Sequence, residues 1–585
     1  MVKGNGESRG RNRAVSAAQC WAYGFIVAGL FLGLSPASAE SVAKSAVVLG
    51  TEVKEKGEKE VSNAAREPKL VVVIAVDQLR RDRLTLPTQG GLKRLVDKGR
   101  VFAAGELAHA VSTTCPGHAA ILTGLNPEHH GIPNNTFYDR ATGEVRYCVE
   151  DGDPSSRVLG GQTGRSPKNM QSTALGDWLK ASNPASRVVA VAGKDRAAIT
   201  MAGQGPDGVY WYDKDQGRFT TSGYYADVLP DYVERFNGEI PSVDGFMQDF
   251  PETWVHDEGS QRRDDYPGED DAYQRISGHP VRQGSEADIG KQVYVSPFLD
   301  QATLALAQLL IEKEKLGQRS ALDLLAISLS ATDTLGHLYG PRSAEAEDAL
   351  ARLDVALGEF MRGLDQSVGE DNYWVVLTAD HGVAVLPEFA RDQGASSCPA
   401  ESGRISPESL FLGLSWHMYK AFTWPFGNPQ SLLAMGGGHL VVVESGLTRF
   451  GVTKQEVLAE AINYLEGLPE IERVWLPSDF AAEGSDLAVR IRRSWVEDRL
   501  GDLFVQVAEG CLVDAEGTTH GSPYDYDLEI PIVFMGPGIE PGRVESPAYS
   551  IDIAATLAHF LNVVPDGTLD GNVLDLGDTG SESLP

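Results

Sequence analysis

Five apolar runs of strand length constrain this chain most: "LVVVIAVD" (Leu70 to Asp77), "RVVAVAGKD" (Arg187 to Asp195), "LDLLAISLS" (Leu322 to Ser330), "YWVVLTADH" (Tyr373 to His381) and "IPIVFMGPG" (Ile530 to Gly538). Each is nearly continuous in aliphatic residues. A strand with one wet face alternates apolar and polar side chains, so runs without alternation belong to strands covered on both faces, as in a mostly parallel sheet. Between the runs the apolar period lengthens. Leu350, Leu353, Leu357, Phe360 and Leu364 share one helical face, behind Ser343, a residue type that caps helix N-termini. Strands alternating with helices predict an α/β fold, with a mostly parallel central sheet flanked by helices on both faces. Two stretches break the rhythm and read as insertions that roof a site. One is 201–300, rich in Gly, Asp, Tyr and Pro; the other is 385–510, with a helix expected at Lys454 to Leu465.

Residues 1–39 have the order of an export signal: Lys3, Arg9, Arg11 and Arg13, then the apolar "WAYGFIVAGLFLGL", then small residues at Ala37 to Ala39. Removal before Glu40 is expected, because the apolar stretch is short for a membrane span. A polar tether follows over 40–68, and a single domain over 69–585. Export to the periplasm or beyond puts Cys115, Cys148, Cys398 and Cys511 in an oxidising compartment, where three complete pairings are possible. The net charge of −31 over 585 residues argues against nucleic acid as a partner, since a phosphate backbone is bound through Lys and Arg. A smaller phosphate ligand would need local cations or metals to overcome that field. Oligomeric state leaves no mark in the sequence.

In open α/β sheets ligands bind beyond the carboxyl ends of the strands. The first run ends in Asp77. The third leads into "SATDTLGHLYG" with Asp333 and His337, the fourth ends in Asp380 and His381, and "GTTHGSPYDYD" before the fifth supplies His520. Singly these have ordinary structural readings, as a turn former, a pair on one helical turn or a loop histidine. Together three Asp and three His make two three-ligand shells of the mixed nitrogen and oxygen type that zinc accepts while keeping a position open. Two divalent ions about 4 Å apart can clamp the attacking and leaving oxygens of a displacement at phosphorus. That gives a use to "VSTTCPGHAAILTG" (Val111 to Gly124), where hydroxyls precede a short helix. A metal would stabilise an alkoxide, and helix N-terminal amides would meet phosphoryl oxygens.

The ordered set "TCPGHAAILTG", "HGI", "GKDRA", "TDTLGH", "ADHG" and "THGSPYDYD" resembles the alkaline phosphatase superfamily. The resembling branch is the secreted, phosphate-irrepressible phosphatases related to nucleotide pyrophosphatase/phosphodiesterases, and the likeness covers about residues 69–575. It implies Thr114 as nucleophile, beside Ser112 and Thr113. It implies one zinc on Asp333, His337 and His520 and a second, touching Thr114, on Asp77, Asp380 and His381. Asn135, Lys194 and Arg196 would meet the transferred phosphoryl group, while the side chains of Cys115 and His118 would be structural and the Cys115 amide would reach that group. The implied reaction converts small phosphate monoesters to phosphate and an alcohol through a phosphothreonine intermediate. The Lys and Arg favour a dianionic monoester over a diester. A phosphodiesterase or nucleotide pyrophosphatase with the same core is the alternative. A sulfatase would need C-x-P-x-R, and Cys115 is followed directly by Pro116. A non-catalytic zinc or phosphate binder is disfavoured by the completeness of the ligand set.

Overall fold

All five apolar runs enter one nine-stranded sheet. The structure is a computed structural model describing residues 67–85, 89–140, 142–256, 262–423, 432–436 and 439–577, so the expected export signal and nearly all of the tether lie outside the described residues. In chain order the strands are β1 (Leu70–Val76), β2 (Arg100–Glu106), β3 (Val188–Ala192), β4 (Gly208–Asp213), β5 (Arg218–Thr220), β6 (Asp323–Leu329), β7 (Tyr373–Thr378), β8 (Ile532–Met535) and β9 (Gly542–Tyr549). Across the sheet they run β9-β2-β8-β7-β1-β6-β3-β4-β5.

The four central strands β7, β1, β6 and β3 are mutually parallel. All seven side chains of β1 are buried, each large aliphatic one contributing about 1.5–3 kcal/mol to the fold. The fifth run, β8, is antiparallel to both its neighbours, β7 and β2. Residues 208–220, expected to lie in the first insertion, instead extend the sheet as β4, parallel to β3, and β5, antiparallel to β4. Their aromatic sequences, "GVYWYD" and "RFT", lack the aliphatic continuity that marked the other strands.

The helices that matter for the site are α1 (Thr114–Thr123), α2 (Asp195–Ala202), α3 (Phe298–Glu314), α4 (Ala331–Tyr339) and α5 (Ala344–Ser367). Ser343 caps α5 as expected, its side chain accepting the Ala346 amide. The buried Asp300 of α3 accepts the Ala331 amide at 3.0 Å and so ties α3 to the start of α4. Burial pushes its carboxyl up to about 7, against about 3.9 in an unfolded chain. Between those values the folded chain holds a proton that the unfolded chain has lost, so this group removes stability as pH rises from 4 to 7. Asp300→Asn, which keeps the acceptor, is expected to raise the melting temperature relative to wild type more at pH 8 than at pH 5. An equal difference at both values would show that the carboxyl is not so shifted.

The second irregular stretch carries its own core, in which Leu414, Met418, Val457, Leu465, Ile471 and Leu503 cluster. Its helix Lys454–Leu465 is the one the sequence predicts, capped by Thr453. The stretch is fastened over the segment leading to α1, where Ser494 Oγ accepts the amides of Ala110 (2.8 Å) and Val111 (3.1 Å). Of the three possible cysteine pairings the chain adopts Cys115–Cys148 and Cys398–Cys511. The first spans 33 residues, for which chain entropy assigns about 3–4 kcal/mol. The double change Cys115→Ala/Cys148→Ala should therefore lower the denaturant midpoint, and an unchanged midpoint would refute the estimate. Among the described residues no helix is long and apolar enough to cross a membrane.

Candidate active site

Register places the functional residues along one edge. Val76 pairs with Leu329, Ala192 with Ser328, and Thr378 with Ala75, so the four central strands end level with one another. Asp77, Lys194, Asp333, Asp380 and His381 follow those ends and are all buried. Gln78 turns the chain after β1 with φ +69°, a left-handed conformation uncommon outside glycine. That turn aims its amide at Asp380 Oδ1 (3.1 Å) and its side-chain nitrogen at Asp333 Oδ1 (2.9 Å).

The three imidazoles are oriented alike. His337 Nδ1 lies 2.8 Å from the Thr518 carbonyl, His381 Nδ1 2.9 Å from that of Gly382, and His520 Nδ1 2.7 Å from that of Ser112. A carbonyl can only accept, so each ring carries a proton on Nδ1 and turns Nε2 toward the carboxylates. The Nε2 atoms of His337 and His520 stand 3.3 and 3.4 Å from Asp333 Oδ1. His381 Nε2 stands 3.2 Å from Asp380 Oδ2 and 3.5 Å from Asp77 Oδ1. The His381 and His520 rings are stacked, with centroids 3.6 Å apart.

Ligand atoms converge within 4.8 Å in two groups: Asp333, His337 and His520, and Asp77, Asp333 and His381. The first is the expected set. The second shares Asp77 and His381 with the other expected set, whose third member, Asp380, brings Oδ2 to 3.2 Å from His381 Nε2. The Lys194 ammonium pairs with Asp77 at 2.5 Å and with Asp333, so the two carboxylates share one cation. Asp380 is fully buried beside His381, its Oδ1 accepting the Gln78 amide and its Oδ2 3.0 Å from His118 Nδ1. His118 Nδ1 donates to the Thr114 carbonyl at 2.9 Å and its Nε2 touches the Ser328 hydroxyl at 2.8 Å, so it braces α1 against β6.

Charge in this cluster is strongly coupled. Burial, then Asp333 and Asp380, push the Asp77 carboxyl well above its usual range. Burial also opposes charge on Asp333, but Lys194 and His337 outweigh it and hold that carboxyl well below. Burial lowers His381 to about 3, leaving a neutral ring. His381 Nε2 and Asp380 Oδ2, 3.2 Å apart, are both buried without a hydrogen-bond partner among the described residues. An acceptor nitrogen facing acceptor oxygens is a repulsive arrangement that a shared cation relieves, so the donor set fits divalent metal.

Thr114 opens α1 and is 1% exposed. Arg196 Nη2 points at its Oγ1 from 3.4 Å. Gly117, one turn on, lets the helix approach the metal-side strand: a Cβ there would stand 2.2 Å from the Asp380 carbonyl oxygen. Asn135 Oδ1 accepts the Cys115 amide at 2.8 Å, which places its NH₂ group near the same helix end. Lys194 is directed to the carboxylates rather than to Thr114. Sequence reasoning missed Gln78 and Tyr147. The Tyr147 hydroxyl donates to Asp195 at 2.6 Å and takes a contact from Arg196 at 3.3 Å, fixing the guanidinium from behind. Its place beside Cys148 in a short hairpin strand gave no chemical signal.

A hydroxyl held against a guanidinium, with two carboxylate and imidazole groups beside it at the carboxyl edge of a parallel sheet, suits hydrolysis of phosphate esters. The chain belongs to the type I phosphodiesterase/nucleotide pyrophosphatase family, whose model matches residues 71–517. It is 34% identical over 542 residues to alkaline phosphatase PhoK of a Sphingomonas species, covering 88% of this chain and 92% of that protein. It is 31% identical over 541 residues to alkaline phosphatase PafA of Elizabethkingia meningoseptica, covering 87% and 94%. The crystal structure of wild-type PafA superposes with a TM-score of 0.79 at 28% identity, over 88% of this chain and all of that one. A solved PafA variant altered at one threonine, one asparagine, one lysine and one arginine gives 0.76. Human ectonucleotide pyrophosphatase/phosphodiesterase family member 7 is 23% identical over 261 residues, covering 44% of this chain and 48% of that protein.

Proposed function

We propose that this chain is an exported, metal-dependent alkaline phosphatase that hydrolyses small phosphate monoesters through a phosphothreonine at Thr114. The observation that carries the reading is the Arg196 guanidinium 3.4 Å from the buried Thr114 hydroxyl. A cation at that position meets the oxygens of a phosphoryl group as the hydroxyl attacks it, where charge resides during transfer. The four residue types altered together in the PafA variant are those of Thr114, Asn135, Lys194 and Arg196 here. Export is supported by two disulfides, which persist in oxidising compartments.

The residues divide the work as follows. Thr114 Oγ forms the bond to phosphorus as the ester oxygen leaves with the alcohol, and water then hydrolyses the phosphothreonine, releasing phosphate and restoring the hydroxyl. Arg196, steadied by Tyr147 and Asp195, holds equatorial oxygens. The Asn135 NH₂ group donates to one of them while its Oδ1 keeps the Cys115 amide. Asp333, His337 and His520, whose ligand atoms converge, would hold one metal ion, and Asp77, Asp380 and His381, with both carboxylates within 3.5 Å of the imidazole, would hold the other. Zinc suits the mixed donors, and when bound such ions favour the alkoxide and the leaving oxygen through their positive charge.

The phosphodiesterase alternative shares this core, but its human relative covers under half of the chain. Matched aryl phosphate monoester and aryl methyl diester decide between them. The zinc-loaded chain is expected to favour the monoester by about 10²-fold in kcat/KM, the value of roughly one to two charge-assisted hydrogen bonds. Chelation should abolish phosphate release and zinc should restore it. Faster diester turnover would overturn the reading.

A further inference from the structure

A second carboxylate and imidazole cluster lies away from the catalytic edge, where the first irregular stretch packs on the start of α5. His256, Asp264 and Glu345 bring one ligand atom each within 4.8 Å of one another. Glu345 is the second residue of α5 and is fully buried. Its Oε1 is contacted by His279 Nε2 at 3.3 Å, and its Oε2 has no hydrogen-bond partner among the described residues. His279 is itself fixed between Trp254 and Tyr339, with ring centroids 4.9 and 5.0 Å away. His256 Nε2 stands 3.5 Å from Asp264 Oδ1. A second fully buried acid, Glu269, accepts the Tyr266 amide through Oε2 at 2.9 Å and leaves Oε1 without a partner among the described residues. Burial and then Glu345 raise its carboxyl to about 8, as expected of two carboxylates crowded in one dry place.

We propose that His256, Asp264 and Glu345 hold a structural divalent metal ion of the zinc class, distinct from the catalytic pair, with Glu269 as the neighbouring acid that completes or adjusts the shell. One imidazole among carboxylates is a donor set for zinc or a similar transition ion, whereas calcium takes six to eight oxygens. A buried carboxylate oxygen without a donor costs free energy that coordination removes. The consequence is mechanical. The loop between Asp264 and His279 lies on the far end of α4, where the Asp270 amide donates to the Leu338 carbonyl at 2.9 Å and the Gly517 amide to the Gly268 carbonyl at 2.6 Å. An ion joining that loop to α5 anchors the cover behind His337 and the His520 loop without touching substrate.

The test is a zinc count by mass spectrometry on the full chain, loaded with excess zinc and exchanged into metal-free buffer. Glu345→Gln is expected to hold one zinc fewer per chain than wild type, while phosphate release at 25 °C stays within about threefold. His256→Ala/Asp264→Asn should lose the same single equivalent, and it serves if the buried change prevents folding. A chelator that strips the outer ion should lower the wild-type melting temperature and leave that of the variants unchanged. Equal zinc counts in wild type and both variants overturn the site, and calcium retained there in preference to zinc overturns the metal class. Because the result is a difference, it stands apart from the catalytic reading: a catalytic site that held no zinc would lower every count without removing the difference.

Discussion

Thr114→Ala is expected to reduce kcat/KM for an aryl phosphate monoester by at least about 10³-fold, or about 4 kcal/mol of transition-state stabilisation. The side chain is nearly fully buried at the first position of α1, and its hydroxyl contact among those described is the Arg196 guanidinium. The change removes the attacking hydroxyl and one γ-methyl group, too little to disturb a helix whose ten residues are all buried. Thr114→Ser keeps the hydroxyl and should retain most of the rate. Acid quench of the wild type during turnover should leave phosphate on the peptide containing Thr114, and the Ala variant should show none. An Ala variant keeping more than a tenth of the activity, with an unchanged melting temperature, would place the nucleophile elsewhere.

The sheet was legible because its centre is dry on both faces. Such strands must be continuous in Val, Ile, Leu and Ala, and β1, β3, β6 and β7 are. The strands toward the two ends of the sheet depart from that pattern. β4 is built of aromatic residues, β5 has three residues, and β9 is largely exposed, so composition alone assigned 208–220 to an insertion. The two helices with both period and cap, at Ser343 and Thr453, fall where the sequence put them.

The site was legible in identity and less so in geometry. A residue after a parallel strand is carried to the sheet's carboxyl edge whatever its type, which is why Asp77, Asp333, Asp380 and His381 could be gathered from sequence alone. Their geometry also depends on Lys194, which follows β3, next to β6 in the sheet but far from Asp333 in sequence. Lys194 pairs with both Asp77 and Asp333, and Asp380 Oδ1 takes the Gln78 amide. Gln78 matters through its backbone angle and an amide hydrogen, and Tyr147 through a hydroxyl behind Arg196. Neither has a residue type that announces such a role. The disulfides depended on loops whose paths no local pattern records.

Lys194 and Arg196 give the prediction that separates substrate classes. Charge-assisted hydrogen bonds from Arg196 to a dianionic phosphoryl group are worth about 1.5–3 kcal/mol each, and Lys194, paired with Asp77 and Asp333, adds its positive charge beside them. Their joint removal should therefore lower monoester kcat/KM by about 10²–10⁴-fold. A diester carries one charge fewer on those oxygens, so its rate should fall less than tenfold, and the monoester-to-diester ratio is the quantity to follow. The structure divides the two residues further. Burial penalises the Lys194 ammonium, but Asp333 and Asp77 overcome that penalty and raise its pKa above the ordinary lysine value, keeping it charged throughout an alkaline assay. Bound to those carboxylates, it competes with metal for the same oxygens. Lys194→Ala alone should therefore tighten zinc binding while slowing turnover, and Arg196→Ala alone should leave zinc affinity unchanged and carry the larger share of the lost selectivity. Equal losses for monoester and diester in the double variant would mean that the pair serves the metal ligands alone, and monoester preference would then have to come from the insertions that roof the site.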